Sequence, residues 1–177
     1  MSETDWRETL LLRLFLLAQI LHLDRLVRFG TAYPFLDFFK GFEKNDAVRQ
    51  IFGNRTDEVL HRLKVRFTWV GGYMWVDGRD GYLTINSRYL NGGDRVDIYL
   101  DVIHELVHVR QFTDGRQLFD NRFRYSERPT EVEAYRHAVK EARRLGLRDE
   151  RICEYLKTEW MSERDLRQLA TALGVRC

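Results

Sequence analysis

His104-Glu105-Leu106-Val107-His108 is the stretch on which the reading of this chain turns. It lies inside a longer helical pattern. Val96, Tyr99, Leu100, Ile103, Leu106, Val107 and Val109 form a broad apolar surface. Asp97, Asp101, His104, His108 and Gln111 share the opposite stripe at helical spacing. Upstream, Asn91-Gly92-Gly93 is a turn signal, and Asp94 is a good N-cap with Asp97 three residues on. The spacing predicts a helix over 95–112 that is mostly buried. A polar stripe this narrow on so apolar a helix more often faces a cleft than open water.

Residues four apart on a helix stand one above the other, roughly 6 Å between Cβ atoms. Two imidazoles so placed can share one Zn²⁺ at Zn–N distances of about 2.0–2.1 Å. Glu105 is rotated off the histidine pair but stays within reach of a water on that metal, the position a general base needs. A catalytic zinc also needs a third protein ligand and an open fourth position. Residues 109–118 contain no further histidine. The candidates lie in Pro129-Thr130-Glu131-Val132-Glu133-Ala134, which opens a second helix with Thr130 as N-cap. Glu133 beside the small Ala134 would complete a set of His104, His108 and Glu133 as this helix packs across the first. Thr130-x-x-Glu133 is also a capping box, and in that reading Glu131 is the residue free to bind metal. His137, one turn after Glu133, either donates to a ligand carboxylate or to the transition state, or is satisfied by local carbonyls.

On these residues, HExxH at 104–108 and Glu131-Val132-Glu133-Ala134, the chain resembles the gluzincin group of zinc metallopeptidases. It looks most like the small bacterial members, including regulatory proteases that cleave repressors. The resemblance covers about residues 65–140. It implies that the ligand is the Glu before the Ala, here Glu133. It also implies hydrolysis of peptide bonds by a zinc-bound water activated by Glu105, with a protein or peptide substrate lying along a sheet edge. Tyr125, Tyr135 and His137 are the candidates for stabilising the oxyanion. Some gluzincins carry an Asp four residues after the ligand Glu, where this chain has His137. The alternative function is a zinc-bearing regulatory or interaction module with little or no general proteolytic activity.

Composition fits one compact unit, 1–177. A chain of 177 residues, 44% hydrophobic, can bury enough surface for a single core. A net charge of +2 gives no bulk field for nucleic acid, and no helix-turn-helix is recognisable. The two cysteines, Cys153 and Cys177, do not make a disulfide framework, so a reducing, cytoplasmic setting is expected. The apolar run over 10–21 is interrupted by Arg13 and too short to span a bilayer. A buried core helix is the expected role, and contact of 9–21 with a membrane the alternative. The oligomeric state is left open.

Four parts follow. Helices are expected over 6–29 and 46–63, joined by the aromatic stretch 33–39, which is expected in the core. Over 64–90, alternating residues predict strands near 65–69, 73–76 and 82–86, with turns at Gly71-Gly72 and Asp77-Gly78-Arg79-Asp80-Gly81. These form a three-stranded antiparallel meander running into the zinc-site helices of 94–146. Helices near 149–160 and 162–174 close the chain, the second capped by Ser162. The class is α+β: a mostly helical, zincin-like domain with a small antiparallel sheet before the HExxH helix.

Overall fold

The computed structural model describes residues 27–177. The expected helix over 6–29 and the apolar run over 10–21 fall largely or wholly outside the described residues, and 27–29 are not helical. The class is α+β, as expected. Among the described residues no helix is long and apolar enough to cross a membrane.

The first strand, β1 (Ala32–Pro34), leads through two short 3₁₀ turns into helix α1 (Asp46–Phe52). Asn45 caps α1, its side chain accepting from the Ala47 amide at 2.9 Å. The single helix expected over 46–63 is two. Gly53 takes φ 62, a conformation that ends a helix readily only at glycine, and α2 (Thr56–Arg62) starts again beyond it. The aromatic stretch lies in the core as expected: Phe35 and Phe39 are wholly buried.

Strands β2 (Lys64–Thr68), β3 (Met74–Val76) and β4 (Leu83–Asn86) join β1 in one four-stranded sheet of order β1-β2-β4-β3. The meander is therefore wrong, and the sheet is mixed rather than antiparallel. β4 lies between β2 and β3, parallel to the first and antiparallel to the second. Burial explains the order. Leu83, Thr84 and Ile85 are all buried, which suits an interior strand covered on both faces, whereas β3 has only three residues and takes the edge. The chain reaches that edge through an outward loop in which Trp69 and Val70 are exposed. The β3–β4 turn falls where expected. The Asp77 amide donates to the Tyr82 carbonyl, and Gly81 adopts φ 72.

Asn86 both ends β4 and caps a short helix, α3 (Ser87–Gly92), that the turn signal at 91–93 conceals. Asp94 then caps α4 (Arg95–Thr113), accepting from the amides of Val96 and Asp97 as expected. α5 (Pro129–Arg144) packs along α4. It begins two residues earlier than a Thr130 cap would allow. Arg128 takes the N-cap position, Pro129 the first helical one, and the Thr130 hydroxyl donates instead to the Leu118 carbonyl at 3.1 Å. α6 (Asp149–Leu156) and α7 (Glu163–Leu173) complete the fold, with Ser162 capping α7 as expected. The two cysteines are not independent: Cys153 on α6 is bonded to Cys177, which ties the C-terminus to that helix.

Candidate metal centre

α4 brings His104, Glu105 and His108 to one place because the helix is apolar on every other side. Ile103, Leu106 and Val107 are wholly buried, so the stripe between them has only the gap against β3 and the start of α5 to face. The two Nε2 atoms lie 3.0 Å apart. Glu131, in the first turn of α5, reaches between them, with its Oε2 at 3.3 Å from His104 Nε2 and 3.4 Å from His108 Nε2. All four side chains are at least nine-tenths buried.

The expectation for Glu133 is thereby corrected. Its carboxylate turns away from the imidazoles and takes hydrogen bonds from Arg110, Arg116 and the Gln111 amide. The reason is helical phase. With Arg128 at the cap, Glu131 and not Glu133 is the third helical residue, and side chains two apart point to different faces. Glu133 still belongs to the arrangement at one remove. Gln111 Nε2 donates to Glu133 and to the Thr130 carbonyl, which leaves Gln111 Oε1 to accept from His108 Nδ1 at 2.7 Å. That bond leaves His108 Nε2 to face Glu131. Gln111 was visible on the polar stripe, one turn after His108, but nothing in the sequence gave it this partner.

Burial dominates the electrostatics. It raises the Glu105 carboxyl to about 8 and lowers the His104 imidazole. Burial also works against charge on His108 and on Glu131. For both, their mutual contact outweighs it: His108 is raised to about 9 and Glu131 is held well below the usual carboxylate range. The cluster thus keeps a proton on His108 as long as only Glu131 faces it. Any cation bound there must displace that proton.

Two carboxylates could meet such a cation. Glu105 offers an oxygen within 4.8 Å of the imidazole nitrogens. Glu131 is closer and touches both rings, and its Oε2 is buried with no hydrogen-bond partner. The Oε2 of Glu105 is likewise buried and unpartnered, and the backbone amide of Val76 faces that carboxylate. Two imidazole nitrogens and a buried carboxylate oxygen, converging within 3.4 Å of one another, fit the donor set of a zinc ion.

The cleft beside the cluster is a cavity of about 310 Å³, lined among others by Met74, Trp75, His108, Phe119 and Glu131. Its wall is the edge strand β3. The Asn86 amide donates to the Tyr73 carbonyl and the Asp77 amide to that of Tyr82. By antiparallel alternation, Met74 and Val76 therefore direct their backbone groups to the open side. Of the three oxyanion candidates, Tyr125 lines the cleft and shares a 2.9 Å hydroxyl–hydroxyl bond with Tyr135, whose ring packs on His104 at 4.3 Å. His137 lies elsewhere on α5, half-buried beside Gln50 and Lys140. No family model matches this chain, and neither does a curated protein or a solved structure.

Proposed function

We propose that the chain is a zinc-dependent metallopeptidase in which His104, His108 and Glu131 hold the metal and Glu105 is the general base. The observation that carries this reading is the convergence, from two helices, of two Nε2 atoms and an unpartnered, buried carboxylate oxygen. Zinc, when bound, supplies Lewis acidity toward the scissile carbonyl and the attacking water. Glu105, buried beside the metal position, would take a proton from that water and return it to the leaving amine. An extended peptide would add to the sheet at β3, pairing with the open backbone groups of Met74. Tyr125 would donate to the carbonyl oxygen as charge develops there, with Tyr135 fixing its hydroxyl.

The substrate class is protein or peptide. A cytoplasmic setting rested on unpaired cysteines; the Cys153–Cys177 bond removes that support, and thiol trapping of the native protein would measure the redox state it meets.

The test is Glu105→Gln. We expect the variant to retain about one zinc per chain and the wild-type circular dichroism, and to lose cleavage of a peptide library by about 10²–10⁴-fold or more. Identical products at identical rates from the two proteins would remove Glu105 from the chemistry. Wild-type protein purified without zinc, and unable to take it up, would end the reading altogether.

A further inference from the structure

The polar stripe of α4 is not used up by the metal centre. Its first half, Asp97 and Asp101, faces a second cavity of about 170 Å³. Tyr73, Met74, His104, Glu105, Tyr125 and Trp160 line both this cavity and the metal cleft, so the two are contiguous. Asp97 is already paired with Arg151 at 2.5 Å. Among the described residues Asp101 has no cationic partner; the Tyr89 hydroxyl donates to its Oδ2 at 2.6 Å, and burial pushes the acid up to about 7. Two further hydroxyls on the cavity wall are more than nine-tenths buried: that of Tyr155 faces Asp101, and that of Thr158 has no hydrogen-bond partner among the described residues.

The rest of the wall is aromatic. Tyr89 packs on Tyr73 at 4.7 Å, Tyr73 on Trp160 at 5.7 Å, and Trp160 on Tyr125 at 6.3 Å. At the lip, exposed Glu154 and Lys157 offset each other, which leaves Asp101 to set the sign inside. A carboxyl at the base, buried hydroxyls on one side and ring faces on the other suit one kind of occupant. It brings positive charge and several N–H donors on an apolar stem. A neutral side chain would leave the same groups unpaired.

We propose that this cavity is a subsite for the basic side chain of an arginine or lysine residue in the peptide that lies on β3. The inference rests on the peptidase reading and names its substrate class. It also accounts for the stripe as a whole: the second half of α4 meets the metal, and the first half selects the side chain presented beside it.

The test separates binding from hydrolysis. Acetyl-Gly-Ala-X-Ala-Gly-amide peptides with X as arginine or citrulline differ in charge but hardly in shape. Their binding is measured by calorimetry on full-length Glu105→Gln protein, where hydrolysis does not interfere. We expect the arginine peptide to bind about ten-fold more tightly, and Asp101→Asn in the same background to bring the ratio close to unity. Equal binding in the parent, or a ratio untouched by Asp101→Asn, overturns the proposal. Should Asp101→Asn fail to fold by circular dichroism, Glu154→Lys at the exposed lip decides: the ratio should fall about three-fold, and an unchanged ratio overturns the proposal. Zinc-loaded wild type is then given both peptides. Preferential binding without hydrolysis keeps the subsite and sinks the peptidase reading; hydrolysis of both at equal rates keeps that reading and sinks the subsite.

Discussion

Phe35, Phe39 and Phe42 are about as well shielded from water as His104, Glu105 and His108, yet the two regions are built in opposite ways. Around the phenylalanines the polar groups are paired, save Glu43 Oε2 in the turn that carries Phe42. Phe35 stacks on Phe39 at 4.7 Å, Phe42 meets both edge-on, and Tyr99 closes the group. The Tyr99 hydroxyl donates to Glu141 and accepts from Asn45, and Glu141 is held by Arg144. In the cleft and its side cavity the reverse holds. Among the described residues, five of the six buried side-chain polar atoms without a hydrogen bond lie there: on His104, Glu105, Glu131, Tyr155 and Thr158. Leaving such atoms unpaired works against folding, and their gathering in one place supports the proposed site.

The largest expected effect follows from the closed region. Phe42→Ala should destabilise the protein by about 3–5 kcal/mol, since a ring removed from a packed core leaves a cavity that the neighbours fill only partly. Denaturant unfolding measures it. Zinc content per folded chain should not change. If Phe42→Ala cost no more than an ordinary surface substitution, the aromatic group would not be the rigid half of the comparison.

Glu131→Gln is the matching experiment on the open side. Removing one partner of the buried Glu131–His108 pair should destabilise the metal-free protein by up to about 3 kcal/mol, less than a fully stranded charge would because His108 can release its proton. Zinc affinity, measured by competition with a chromophoric chelator, should drop by about 100-fold or more, beyond the loss typical of a residue that merely supports a ligand. Glu133→Ala should show the smaller loss, about ten-fold, because it acts on the metal only through Gln111 and His108. Equal losses in the two variants would mean that the geometry of the first turn of α5 does not decide the ligand.

That pair of residues also shows where the sequence stops being legible. The HExxH helix was readable because nineteen residues of periodic pattern and an Asp cap all agree. The third carboxylate hung on one local choice. The resemblance makes the Glu before the Ala, Glu133, the ligand, and the Thr130 capping box leaves Glu131 free instead; with Pro129 opening the helix, it is Glu131 that faces the histidines. The sheet failed for a different reason. Strand positions are local, but the insertion of β4 between β2 and β3 depends on which strand can be buried on both sides. The Cys153–Cys177 bond spans 24 residues and leaves no mark in either cysteine's neighbourhood. Asp97 and Asp101 stood on the predicted stripe, but their cavity is made by rings from α3, α5, α6 and the loops before β3 and α7 that only the fold assembles.

The smallest expected effect tests whether the side cavity belongs with the open region. Asp101 is raised by burial to about 7, against an ordinary value of 3.8, while Tyr89 and Tyr155 act in the opposite direction. The folded protein therefore keeps a proton on Asp101 over a pH range in which the unfolded chain has released it. Stability from this group is greatest below about pH 4, falls as pH rises toward 7, and is level beyond, because folding then takes up a proton that is increasingly scarce. Asn at this position can still accept from the Tyr89 hydroxyl but carries no charge. Asp101→Asn should accordingly match wild type near pH 4 and exceed it at pH 8 by on the order of 1–2 kcal/mol, less than the full shift implies because the cavity admits some water. Thermal unfolding of the two proteins side by side across that range measures the difference, and other groups cancel in the comparison. A variant that is less stable than wild type at pH 8 would show Asp101 to be a satisfied structural residue of the closed kind. A variant that is more stable yet has lost its preference for the arginine peptide would show a charge held in the fold at a cost to stability.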